Sequence, residues 1–142
     1  MDKQIATTPE QSQRLIACGV HPDSADMCYN GYFDSLPLEI NRNNATKDSK
    51  YIPAWSLVAL FALLPPTIPT DDKDTKYKLI TLYQLEDNKY YVGYVLGRGG
   101  KIYGSIGDQS ASTLFDAILE LTIWYIKRKS SNERSGTYHG AV

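Results

Sequence analysis

Three groups of residues in this 142-residue chain have side chains suited to chemistry. The first is Gly97-Arg98-Gly99-Gly100-Lys101, where permissive backbone alternates with two cations, the make-up of an anion cradle. A phosphate loop leads from a strand into a helix and ends in Lys-Ser/Thr. Here the segment separates two runs of strand-forming residues, so it reads as a hairpin turn in which glycine supplies positive φ. The second group is His21, Asp23, Asp26 and Cys28, metal-donor types close together in sequence. Their spacing matches no recognised metal site, and Pro22 bends the chain inside the group. Ser24 and Asp26 read instead as turn and cap residues. The third is Asp116 with Glu120, one helical turn apart but on the polar side of their helix, where a solvated face is expected rather than an acid pair. The Gly-x-Ser-x-Gly, His-Glu-x-x-His and Gly-x-Gly-x-x-Gly motifs do not occur, and of the two histidines His139 falls in the terminal segment. No catalytic residue, metal ligand or cofactor is assigned from these patterns.

Tyrosine is the compositional excess, with eleven against three Phe and two Trp. Tyr77, Tyr83, Tyr90, Tyr91, Tyr94 and Tyr103 all fall between residues 77 and 103. Strand propensity accounts for tyrosines whose hydroxyls reach water. The functional reading is a tyrosine-lined surface for a protein or a flat ligand. On that reading Arg98, Lys101, Tyr91 and Tyr103 are the candidate ligand- or partner-binding residues.

The elements that would carry these groups follow from local signals. Thr8-Pro9-Glu10-Gln11 combines an N-cap, a proline at the first helical position and a capping box, and Gly19 is a stop. His21 to Met27 reads as a turn entering one short helical turn. Short extended pieces are expected around Tyr32-Phe33 and Leu36–Glu39, with an exposed loop over 41–46. Pro53 is expected to open a second helix running to Leu64, with Leu57, Leu60, Phe61 and Leu64 on one face. Pro65-Pro66 ends it, and the acidic connector Asp71-Asp72-Lys73-Asp74 follows. Three strands come next, Tyr77–Leu85, Tyr90–Leu96 and Lys101–Ile106, with Gly107-Asp108 ending the last. Their short connections predict an antiparallel meander. One sheet face carries Leu79, Thr81, Tyr83 and Leu85, the other Ile80 and Leu82. A last helix is expected over Ser112–Lys129, with Leu114, Ala117, Ile118, Leu121 and Tyr125 as its apolar stripe.

The predicted class is therefore α+β. A three-stranded or longer antiparallel meander packs with helices, the core order is α-β-β-β-α, and an N-terminal helical segment precedes it. Residues 1–129 are expected to form one domain and 130–142 a flexible tail. A net charge of −1 provides no bulk attraction for nucleic acid or anionic membrane. The element order from Pro53 onward matches that of double-stranded-RNA-binding domains. Those grip phosphate with cations at the start of the last helix, where this chain has Gln109-Ser110-Ala111-Ser112-Thr113. The apolar run Trp55–Leu64 is about half the length a membrane span needs. Met1-Asp2-Lys3-Gln4 lacks the apolar core of a signal peptide, and Cys18 and Cys28 are too few for a disulfide framework. Reduced thiols and a cytoplasmic location are expected.

The segments Glu10-Gln11-Ser12-Gln13-Arg14-Leu15-Ile16, Ser24-Ala25-Asp26-Met27, Pro53-Ala54-Trp55-Ser56-Leu57 and Asp116-Ala117 with Trp124 resemble a family of small proteins from phages and mobile elements of gut anaerobic bacteria. The resemblance spans Glu10 to Trp124. It implies a bacterial cytoplasm and an accessory role in a mobile element, and it implies no reaction.

A sheet apolar on both faces needs two covers, one of which the last helix can supply. The expected function is accordingly a non-catalytic interaction module that binds a protein partner or a second copy of itself. One alternative is a protein that sequesters a small anionic ligand such as a signalling nucleotide. Another is a metal-dependent nucleotide hydrolase built on Asp108 or Asp116.

Overall fold

The computed structural model describes residues 4–30, 38–39, 51–72, 74–98 and 100–140. The first helix, α1 (Pro9–Cys18), forms as its local signals require. Thr8 Oγ1 accepts from the Gln11 amide, the Gln11 side chain accepts from the Thr8 amide, and Gly19 closes the helix at φ 114°. A single 3₁₀ turn, Pro22–Ser24, follows. The expected short helical turn is thus present, and it ends before Met27, which opens strand β1 (Met27–Asn30). With β2 (Leu38–Glu39) and β3 (Tyr51–Ala54), β1 forms an antiparallel sheet in the order β2-β1-β3. The piece expected at Leu36–Glu39 is present as Leu38–Glu39, while the piece at Tyr32-Phe33 and the loop at 41–46 lie outside the described residues.

Pro53 does not open a helix. It lies in β3 opposite Cys28, on an edge strand where its missing amide is tolerated. The second helix, α2 (Leu57–Ala62), begins later and is capped by Ser56, whose Oγ accepts from the Ala59 amide. Asp26 in turn accepts from both the amide and the hydroxyl of Ser56. Trp55 is fully buried, and its indole donates to Ser24 Oγ at 2.9 Å.

After α2 the sheet has four strands rather than three. Strand β4 (Thr67–Pro69) adds to β5 (Lys76–Gln84), β6 (Lys89–Arg98) and β7 (Lys101–Ala111) in the antiparallel order β4-β5-β6-β7. The core order α-β-β-β-α thus becomes α-β-β-β-β-α, with the β1–β3 sheet in the N-terminal segment. Nor does β7 stop at Gly107-Asp108. It continues to Ala111 through a register shift opposite Val92–Tyr94, where the extra residue is absorbed as a bulge.

The pairings Leu79–Tyr94, Thr81–Val92 and Tyr83–Tyr90 define the inner face of this sheet. Tyr94 is fully buried there, its hydroxyl donates to the Pro65 carbonyl at 2.7 Å, and its ring lies 6.3 Å from that of Trp124. Trp124 belongs to the last helix, α3 (Leu114–Gly140), which starts after Thr113 and extends past the expected end at Lys129. Thr113 Oγ1 accepts from the Asp116 amide and caps it. Phe115, Ala117, Ile118, Leu119, Leu121, Thr122 and Ile123 are all buried, so α3 is enclosed beyond a single stripe.

The chain divides into two compact units, Met1–Phe61 with Ile126–Val142, and Ala62–Tyr125. In the first, Thr7 is the polar hinge of the core. Its amide donates to the Trp55 carbonyl, its hydroxyl accepts from the Trp55 amide and pairs with Ser12, and its carbonyl accepts from the Tyr29 hydroxyl.

Gly107 is required twice over. Its φ is 72°, and a Cβ there would meet the Trp124 ring at 2.6 Å. Gly107→Ala should therefore cost about 2–4 kcal/mol in urea denaturation. Gly104, in the same strand, has nothing within 4 Å of an added Cβ. Gly104→Ala should change stability by less than about 1 kcal/mol.

Candidate functional site

The hairpin turn between β6 and β7 places Arg98 directly opposite Lys101. Gly100 in that turn has φ 80°, the left-handed geometry that the glycine-rich sequence serves. For Arg98 the structure describes the backbone, while Lys101 is exposed. Tyr103, two residues on, is 65% exposed at the second register shift of β7. Tyr91 sits at the other end of β6, paired with Leu82 on one side and Ser110 on the other. Its hydroxyl donates to Asp87 Oδ2 at 2.7 Å, and this bond to a carboxylate raises its pKa above the ordinary phenol value.

The four candidates do not converge on one site. Tyr91 lines a shallow depression of about 340 Å³ on the outer face of the sheet, with Ile80, Leu82, Val95, Ile102, Ser105 and Asp108. Tyr103 lines a second depression of about 600 Å³, with Asp72, Asp74, Thr75, Lys76 and Lys78. Lys101 lines neither.

The outer face follows from the register. With Leu79, Val92 and Tyr94 on the inner face, the pairs Lys78–Val95, Ile80–Gly93 and Leu82–Tyr91 face outward, while Thr81 and Tyr83 share the side of Leu79 but are themselves exposed. Ile80, Leu82 and Ile102 remain 40%, 57% and 66% exposed. The middle strand contributes Gly93, and the bulge in β7 brings Asp108 over it. A Cβ on Gly93 would lie 2.6 Å from Asp108 Oδ1. Asp108 Oδ2 accepts from Ser105 Oγ at 2.6 Å. A carboxylate thus rests on an apolar, solvent-facing sheet surface, held by one neighbouring hydroxyl. Sequence reasoning took Asp108 as a strand terminator and, in the hydrolase alternative, as one of two candidate acids. The spacing Ser105-x-x-Asp108 across Gly107 was the available signal, and it becomes legible only once the bulge is known.

The other sequence candidates serve local structure. His21 Nδ1 accepts from the Asp23 amide at 3.1 Å, and Asp26 holds Ser56. Cys28 is buried in β1, and burial raises its thiol pKa, as it does for Cys18. Both thiols are therefore poor nucleophiles at neutral pH. Asp116 and Glu120 are half-buried rather than fully solvated. Among the described residues no three His, Cys, Asp or Glu side chains group as metal donors, and no helix is long and apolar enough to cross a membrane.

Comparison with known protein families, curated proteins and solved structures finds no match. What this surface does must be argued from its own chemistry.

Tyr94, beneath that surface, gives the sheet a pH signature. Burial, with Tyr125 nearby, holds its phenol well above the ordinary value. A raised folded pKa gives stability that is complete below the unfolded value, about pH 10, and lost as pH rises through the folded pKa. Urea denaturation should show stability falling above about pH 10, with a shallower fall in Tyr94→Phe. At neutral pH that substitution should cost about 1–3 kcal/mol, because the Pro65 carbonyl loses its donor.

Proposed function

We propose that this protein is a non-catalytic interaction module that binds a protein partner, or a second copy of itself, through the outer face of β5, β6 and β7. The observation that carries this reading is the exposure of Ile80, Leu82 and Ile102 together on one sheet face, around a depression that is shallow rather than closed. Apolar side chains left in water on β5 and β7, either side of β6, lose free energy when another surface covers them, at about 25 cal/mol per Å². Lys78, Gln84, Lys89 and Ser110 occupy the margins, the polar rim that a protein interface requires. An accessory role in a phage or mobile element, implied by the resemblance of the sequence, fits such a module and forms part of the proposal.

A second reading has its own observation. The depression beside Tyr103 has the volume of a nucleotide site, and Lys76 and Lys78 line it. Sequestration of a small anionic ligand would use those cations and the tyrosine ring. Asp72 and Asp74 line the same depression and oppose an anion, which ranks this reading second.

Leu82→Asp and Ile102→Asp separate the readings. Each should cost less than about 1 kcal/mol in urea denaturation, because both side chains are exposed. The protein should retain specific proteins from a bacterial lysate, and both variants should lose them, as read by mass spectrometry. Equal retention by wild type and variants would overturn the interaction reading. A retained nucleotide, lost in Lys76→Ala, would favour the second.

A further inference from the structure

The outer face of β5–β7 has a single carboxylate at its centre. Asp108 Oδ1 lies 2.6 Å from the position a Cβ on Gly93 would take, so the acid sits over the middle strand, where that residue has no side chain of its own. Apolar residues surround it. Ile80 lies opposite Gly93 on β5, and Tyr91 and Val95 are the next residues of β6 on the same face. Leu82 and Ile102 line the same depression. No lysine, arginine or second acid among the described residues lines it, and no ion pair among them engages Asp108. Lys78, opposite Val95, lines the neighbouring depression instead. Asp108 Oδ2 accepts from the Ser105 hydroxyl, a neutral donor that leaves the negative charge in place.

That placement limits what can cover the face. Asp108 is exposed, and a partner that buries the apolar residues around it takes the carboxylate out of water as well. A carboxylate sealed away without a partner charge is heavily penalised, enough to offset the burial of the apolar residues beside it. A wholly apolar partner is therefore rejected, and an acidic one more so. A second copy meeting this face about a two-fold axis through Gly93 would set one Asp108 against the other, a like-charge contact. A divalent metal ion asks for several oxygen ligands, and no three metal-donor side chains group here among the described residues. What fits is a monocation on an aliphatic stem. The stem lies on Ile80, Leu82 and Ile102, and the head reaches Asp108 Oδ1. Lysine and arginine side chains have that build, an apolar stem ending in a charged donor.

We propose that the depression over Gly93 is an acceptor for a basic side chain, and that the protein partner of this face presents a lysine or arginine whose head pairs with Asp108. The proposal rests on the reading of this face as an interaction surface, and it names what the partner must carry. Titration of the isotope-labelled full chain with hexylammonium, followed through the backbone amide resonances of Gly93, Ser105 and Asp108, tests the side-chain chemistry alone. Hexanol and hexanoate, of the same chain length, are the neutral and anionic controls. Hexylammonium should bind at least about tenfold more tightly than hexanol, and hexanoate should leave these amides unmoved. In Asp108→Asn, which keeps the shape of the side chain and an acceptor for Ser105, hexylammonium should fall to the level of hexanol. Failure of hexylammonium to move these amides, or equal affinity for hexylammonium and hexanol, would overturn the proposal. So would a preference for the cation that survives Asp108→Asn. The wild-type ranking decides the matter even if that variant does not fold. Lysate retention then separates the proposal from the reading beneath it. Loss of partners in both Leu82→Asp and Asp108→Asn agrees with both. Loss in Leu82→Asp alone overturns the basic side chain and leaves the interaction reading standing, while unchanged retention in both variants removes both.

Discussion

The placement of Tyr94 decides which side of the four-stranded sheet meets water. Its ring is fully buried beside Trp124, and its hydroxyl is anchored on the Pro65 carbonyl. A buried phenol without an acceptor costs about 1–3 kcal/mol, so this bond specifies position as well as adding stability. Strand periodicity does the rest. Once Tyr94 points inward, Val92 and Leu96 follow it, while Gly93 and Val95 point outward. A slip of one residue would bury Gly93 and Lys78 in place of Tyr94 and Leu79, which is why the register is strongly specified. The exposed stripe of Ile80, Leu82 and Ile102 is therefore the outward half of an alternation whose inward half is fixed by a hydrogen bond.

The unit containing α1 has a different polar hinge with the same logic. Thr7 is completely buried, yet its amide, carbonyl and hydroxyl all have partners. Two of the bonds join it to the backbone of Trp55, the largest fully buried side chain. Asp26 then holds Ser56, and Ser56 caps α2. The chain runs from a buried indole to a helix start through contacts that each satisfy an otherwise orphaned group.

These constraints bear on function through what they leave over. His21, Asp23, Asp26 and Ser24 are engaged in turns and caps. Asp108 differs, because its carboxylate shields no helix end and rests over Gly93 in the middle of an apolar face. An acid on such a surface gives up solvation only when a cation arrives with the covering partner, so it adds selectivity to a contact whose driving force is apolar.

Elements closed within a few residues were legible in the sequence. The capping box of α1, the hairpins joining β5 to β6 and β6 to β7, the class of the fold and the two sheet faces all follow from cap chemistry, turn residues and period-two patterning. So did the candidate positions at the β6–β7 turn, since Arg98 and Lys101 flank a glycine turn in any register. What the sequence left open required partners far along the chain. Met27 becomes a strand residue because Ala54 pairs with it, and that pairing also draws Pro53 out of the helix its position suggested. Thr67–Pro69 becomes a strand because β5 offers an edge. Asp108 passes from terminator to surface acid because the bulge in β7 carries the strand past Gly107, whose positive φ and contact with Trp124 no local pattern announces. Caps and turns are decided by the few residues that make them, whereas edges, bulges and exposed faces are decided by which distant surface wins the contact.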